Sequence, residues 1–209
     1  MPPTPYDAIV FDLLTALVDS WSLWNEVAGS PEDGLRWRRT YLRLTYEAGA
    51  YRPYESIVRA AAEQSGLPGE TAERLVARWT ELAPWPEAPE VTTRLAARVP
   101  LGIATNCSHR LGLMAAERVG AFAAVVTAEQ VGFYKPRPEV YRAALDALGT
   151  RPERTLFVAG SAADVPGAKA VGMPVFWHNR MGLAPIDGAR PDVMEPSLRP
   201  LLDLVQGAE

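Results

Sequence analysis

From Glu90 to Trp177 the chain repeats one alternation: a stretch with helical spacing, a turn, then four or five apolar residues. The apolar runs fall at 101–104, 124–127, 155–158 and 174–177, and a fifth, Ala8-Ile9-Val10-Phe11, stands near the N-terminus. Runs this short and uninterrupted suit strands buried on both faces. The helical stretches between them, near 91–98, 110–119, 139–148 and 165–171, make each connection a right-handed crossover between parallel neighbours. The expected fold class is α/β, with a Rossmann-like parallel sheet as its core.

About seventy residues after the first run read differently, with helical spacing near 21–24, 35–48, 54–64 and 71–82 and no strand pattern. They close on Pro84-Trp85-Pro86-Glu87-Ala88-Pro89, a cluster that cannot continue a helix. The expected organisation is a core of residues 1–19 and 88–209 carrying an all-helical cap, 20–87, placed to close over the strand ends. A hydrophobic share of 48% is ample for that core. The net charge of −4 is dispersed and forms no basic stripe, so nucleic acid is not an expected partner. No apolar stretch approaches the roughly 20 residues of a membrane span, and the N-terminus lacks the plan of a secretory signal. The single Cys107 excludes an internal disulfide, which fits a reducing cytoplasm.

The residues able to do chemistry stand at strand ends, where open α/β sheets bind ligands. Asp12 ends the first run; its other use would be as a helix N-cap. Thr105-Asn106 follow the second run, Lys135 lies in Gly132-Phe133-Tyr134-Lys135-Pro136-Arg137-Pro138, and Asp164 ends Val158-Ala159-Gly160-Ser161-Ala162-Ala163-Asp164. In order and context these four landmarks resemble the haloacid dehalogenase superfamily over nearly the whole chain, with the helical block in the place of the family's cap.

Many members of that superfamily are metal-dependent phosphatases, and the departures from their pattern are informative. Their second Asp, two residues after the nucleophile, is Leu14 here, and the Asp of their fourth landmark is Gly160. Mg²⁺ requires oxygen ligands, so these exchanges predict neither metal nor other cofactor. Without a cation, a phosphate dianion ~3.5 Å from Asp12 would meet roughly 10 kcal/mol of repulsion at an effective dielectric of about 20.

The losses point to the metal-independent branch that resembles L-2-haloacid dehalogenases. There an Asp displaces the 2-substituent of a small carboxylic acid, and water hydrolyses the resulting aspartyl ester. By position, the resemblance makes Asp12 the nucleophile, Lys135 its charge partner and Asp164 the group that orients or activates water. Thr105 and the backbone N–H groups near Leu13 and Leu14 would hold the substrate carboxylate, with Asn106 facing the leaving group. Arg38 stands where dehalogenase caps place the Arg that receives halide, and Leu42 and Tyr54 would wall the substrate's carbon end. Thr15, Ser161 and Tyr141 complete the expected substrate surroundings; the Thr15 hydroxyl is shifted by one residue from the dehalogenase pattern.

Other readings stay open on sequence alone. An azetidine-2-carboxylate hydrolase resembles the same branch but opens a strained ring. A phosphatase recruiting Mg²⁺ through Asp12, Asp164 and backbone oxygens, or a non-catalytic binding module on the same fold, would keep the landmarks for other ends. The expected partner is a small carboxylate; a homodimer is compatible with the branch, although no periodic interface signal marks one. Cys107, His109 and His178 lack partners spaced for a relay or a metal and read as structural. Trp21, Trp24 and Trp37 suit packing or a cap-to-core seam, with one of them lining the substrate pocket as the alternative, and Asp19 and Ser20 read as caps of the helix they begin.

Overall fold

The computed structural model describes residues 5–186 and 190–206; the outer ends of the expected core, 1–4 and 207–209, and residues 187–189 lie outside them. Among the described residues the strands are β1 (Ala8–Phe11), β2 (Val18–Asp19), β3 (Ala83–Pro84), β4 (Leu101–Thr105), β5 (Ala124–Thr127), β6 (Thr155–Ala159), β7 (Val175–His178) and β8 (Val193–Glu195). The helices are α1 (Ser20–Ala28), α2 (Pro31–Ala48), α3 (Tyr54–Gln64), α4 (Glu70–Ala77), α5 (Ala88–Ala96), α6 (His109–Glu117), α7 (Ala128–Val131), α8 (Pro138–Leu148), α9 (Asp164–Ala170) and α10 (Leu201–Gln206).

Six strands form one sheet in the order β5-β4-β1-β6-β7-β8, every neighbouring pair parallel. Strand β1 lies between β4 and β6, with Phe11 opposite Ile103 on one side and Val158 on the other. The order reverses at β1, so the crevice beyond its carboxyl end is the topological switch point. All four β1 side chains are fully buried because the pleat sends them alternately to two covered faces. Ile9 and Phe11 pack with α5, α6 and α10; Val10 packs with α8 and α9.

Helices α1–α4 enter between β1 and β4, and a two-residue antiparallel ribbon of β2 and β3 ties the entry to the exit. Helix α2 is started by Ser30, whose hydroxyl accepts from Asp33 N, with Pro31 in its first turn. Trp24, Trp37, Tyr41, Tyr54 and Trp79 form a ladder of neighbouring rings with centroid separations from 4.4 to 6.1 Å. The expected helix over 71–82 stops at Ala77 and continues as a 3₁₀ turn, Trp79–Glu81. That turn accompanies the burial of Trp79, whose indole N–H donates to the Leu111 carbonyl of the core at 2.9 Å.

The helical insertion is also bonded to the core beside the third chemical landmark. Tyr51 N donates to Gly132 O (2.8 Å), Tyr134 N to Gly49 O (3.0 Å) and the Tyr134 hydroxyl to Arg52 O (2.7 Å). These bonds end one residue before Lys135.

Candidate active site

Beyond the carboxyl end of β1, the chain turns through residues 12–17, and every carbonyl from Leu13 to Ala16 has a hydrogen-bond donor. Leu13 O accepts from Leu17 and Val18 N–H, Leu14 O from the Ser20 hydroxyl, Thr15 O from the Trp85 indole (3.0 Å) and Ala16 O from His178 Nδ1 (2.8 Å). In a trans peptide the carbonyl of one residue opposes the N–H of the next, so anchoring the Leu13 carbonyl turns the Leu14 N–H away from that bond. Thr15 N–H and its hydroxyl donate to Asp12 Oδ2 at 3.2 and 2.8 Å. The N–H groups of Leu13 and Leu14 have no hydrogen-bond acceptor among the described residues. His178 is structural, as its sequence context suggested, and serves to hold this turn.

Lys135 is almost wholly buried, and its ammonium sits 2.8 Å from Asp12 Oδ1 and 3.0 Å from Asp164 Oδ1. Asn106 grips the backbone on which Lys135 rides: its Oδ1 accepts from Lys135 N at 2.7 Å and its amide donates to Lys135 O at 3.3 Å. The two carboxylates respond differently to this shared cation. Burial pushes the Asp12 pKa up, but the Lys135 charge and the hydrogen bonds from Lys135 and Thr15 outweigh it and hold Asp12 below the ordinary Asp value. At Asp164 burial, reinforced by repulsion from Asp12, prevails over Lys135 and raises the pKa to about 6. Lys135 itself is desolvated, yet the two carboxylates raise its pKa and keep it charged. Paired carboxyl groups with separated pKa values can divide nucleophilic and base roles.

A cavity of about 100 Å³ opens on this triad, lined among others by Asp12, Leu14, Thr15, Thr105, Asn106 and Ser161. Arg38, Leu42 and Tyr46 face it from α2 at intervals of four residues, the spacing that stacks side chains on one helical face. Arg38 is buried, with its guanidinium 4.2 Å from the Trp21 ring centre and 4.8 Å from that of Trp24. It donates to the Ser20 hydroxyl at 2.7 Å; its Nε has no partner, and no described carboxylate lies within ion-pair reach. Burial lowers its pKa to about 10, which still leaves it a cation at neutral pH.

Several expected site residues take other places. Tyr54 is not a wall of the cavity: it is fully buried behind Tyr41, edge-on to that ring and to Trp79. Tyr141 is also excluded from the lining; it is buried against Phe157 and donates to the Asp164 backbone carbonyl at 3.2 Å, so it steadies α9 from behind. The Leu13 side chain lies in the core and does not line the cavity. The Asn106 amide is committed to the Lys135 backbone, which makes it a support for the ammonium before any leaving group arrives. Thr15 supports the Asp12 carboxylate from its shifted position. Trp21 and Trp24 line the cavity, and Tyr41, Tyr46, Ala163 and Leu183 do so without having been assigned to it. Tyr46 was within reach of the i, i+4, i+8 pattern from Arg38; Ala163 and Leu183 carried no such signal. Cys107 is buried with its thiol pushed up to about 12 by desolvation, which keeps it protonated and inert.

The residues do not fit the divalent cation used by phosphatases of this fold. Leu14 offers no oxygen side chain, and a Cβ built on Gly160 would lie 2.2 Å from both Ala16 N and Thr15 Oγ1. The turn that carries Asp12 thus fills the space into which a carboxylate from position 160 would project. Gly160→Asp is accordingly expected to destabilise the fold by about 3 kcal/mol, read as a fall in Tm. It should confer no Mg²⁺-dependent hydrolysis of an aryl phosphate; a metal-activated phosphatase from this variant would show that the turn yields.

The comparisons with known proteins agree with this geometry. A family model for haloacid dehalogenase-like hydrolases matches residues 6–172. An (S)-2-haloacid dehalogenase of Pseudomonas putida is 32% identical over 190 residues, covering 82% of this chain and 84% of that protein. A phosphoserine phosphatase of Thermus thermophilus is 35% identical over 162 residues, covering 73% of this chain and 64% of that protein. A crystal structure of a dehalogenase superimposes with a TM-score of 0.84 at 25% identity, covering 97% of this chain and 98% of that one.

Proposed function

The chain belongs to the haloacid dehalogenase-like hydrolases, and from that premise we propose that it hydrolyses 2-haloacids without a metal, through an ester on Asp12. The observation that carries the reading is one cavity lined by an ionised carboxylate and by a buried guanidinium that has no carboxylate at ion-pair distance among the described residues. A buried unpaired cation is costly, and a small carboxylate that releases halide supplies the missing anion. A ring amine would instead leave next to a cation, which favours halide over azetidine-2-carboxylate. The misfit of a divalent cation at Leu14 and Gly160 weighs against phosphatase chemistry despite the phosphatase relative.

In the first step an Asp12 oxygen attacks C2 from the side opposite the halogen; the C–O bond forms as the carbon–halogen bond breaks, and the electron pair leaves as halide. The Leu13 and Leu14 N–H groups and the Thr105 hydroxyl hold the substrate carboxylate, while Arg38 receives the halide. Trp21, Trp24 and Leu42 exclude water from the reacting carbon, with residues 20–87 acting as the cap. Leu14, Thr15 and Ser161 complete the substrate's surroundings. In the second step Asp164 takes a proton from water as the oxygen attacks the ester carbonyl of Asp12. Collapse of the tetrahedral adduct returns the Asp12 carboxylate and releases a 2-hydroxy acid. Lys135 stays charged; it holds both carboxylates in the resting enzyme and stays beside Asp164 while Asp12 is esterified. Its single free thiol, Cys107, is in keeping with a reducing cytoplasm; among the described residues no helix is long and apolar enough to cross a membrane.

Two measurements test this. Across 2-chloropropionate enantiomers, fluoroacetate and azetidine-2-carboxylate, halide release is expected and ring opening is not. A single turnover in ¹⁸O water with enzyme in excess should put the label into the Asp12 side chain; label entering product directly would exclude the ester.

A further inference from the structure

Ser20 opens α1 beside its N-cap Asp19, yet its side chain is fully buried and bonds Arg38 and the Leu14 carbonyl rather than the helix end. A guanidinium has donors only, so in the 2.7 Å contact with Arg38 the Ser20 oxygen must accept. Its one proton is then free for an acceptor, and it goes to the carbonyl of Leu14, two residues after the nucleophile. Together with the faces of Trp21 and Trp24 this contact fixes the guanidinium, which makes no other side-chain hydrogen bond among the described residues.

We propose that Ser20 is a positioning residue that locks the anion-receiving Arg38 to the turn carrying Asp12, through the relay Arg38 to Ser20 hydroxyl to Leu14 carbonyl. In-line displacement needs nucleophile and leaving group held at opposite ends of one carbon, and the relay ties the two groups responsible into one unit. The proposal rests on the haloacid reading for the identity of the anion.

Bromide titration followed by tryptophan fluorescence tests the relay without turnover, because an anion held by Arg38 lies against Trp21 and Trp24. Saturable quenching is expected in the unmodified protein and none in Arg38→Ala. Ser20→Ala should weaken bromide binding about tenfold, the scale of one lost hydrogen bond to a charged group, with the Tm recorded to show that the variant is folded. Should Ser20→Ala not fold, Ser20→Cys, with a far weaker acceptor, carries the same expectation. Unchanged bromide affinity in the folded Ser20 variant, or no saturable quenching in the unmodified protein, would overturn the proposal. Halide release from 2-chloropropionate, measured in parallel, tests the substrate separately: its absence alongside Ser20-dependent bromide binding would sink the haloacid reading and leave the relay standing.

Discussion

Asp12→Asn is expected to lower kcat by about 10⁴-fold or more, the scale at which loss of a nucleophile leaves only binding and positioning. The change removes charge and nucleophilicity while keeping volume, and the fold should survive it. Two buried carboxylates now share one ammonium; with Asn at 12, Lys135 retains Asp164 at 3.0 Å and the pair is balanced. Because Asp12 repulsion is one of the causes that raise the Asp164 pKa, that pKa should fall in the variant, visible by NMR titration of the carboxyl carbon. Exhaustive chelation of the unmodified enzyme should leave its rate unchanged. A folded Asp12→Asn protein that still turns over, or an enzyme silenced by chelation, would refute a carboxylate acting on carbon unaided.

Asp164→Asn should separate the two chemical steps. Formation of the ester needs Asp12 and Arg38, so one equivalent of halide per enzyme is expected in a burst. Hydrolysis then lacks its base, and steady-state turnover should fall by about 10²–10⁴-fold, the range for general base catalysis. Mass spectrometry of the quenched protein should find the acid esterified on Asp12. The unmodified enzyme should approach the same state on acidification. Asp164 acts as base only when deprotonated; its pKa is about 6 beside the Asp12 charge and falls once Asp12 is esterified and neutral, so ester hydrolysis declines as the pH drops below 6. Asp12 is held below the ordinary Asp value, so ester formation persists at a pH where hydrolysis has failed. A steady-state rate that on acidification does not fall before the burst does would remove Asp164 from this role.

Much of the fold could be read from the chain because its determinants are local. Five of the six sheet strands announce themselves as apolar runs between turns, and 54–64 and 124–127 match α3 and β5 to the residue. Strand β8 did not: it is three residues long, only partly covered, and reads Val-Met-Glu without a run or an alternation. Helix α4 was drawn too long because the burial of Trp79 against Leu111 prevails over the propensity of the residues around it. The Pro84-Trp85-Pro86 cluster was rightly a helix stop, but its pairing with Val18 required a strand sixty-six positions away to be in place.

The site divides along the same line. Asp12, Thr105, Lys135 and Asp164, named from sequence, line one cavity because the segments that follow strands of a parallel sheet converge at its carboxyl edge. Which aromatic rings face the cavity was decided by the packing of α1 and α2 on the core: Tyr41 took the place expected of Tyr54, and Trp21 and Trp24 closed on Arg38. The different protonation of two identical carboxylates, and the exclusion of a side chain at position 160, arise from distances of 2–3 Å between segments up to 150 residues apart in the chain. Local pattern can therefore name charged and polar groups that meet in the cavity, since each lies in its own short motif. Their charges and the shape around them depend on burial and neighbours, which exist only once the chain is folded.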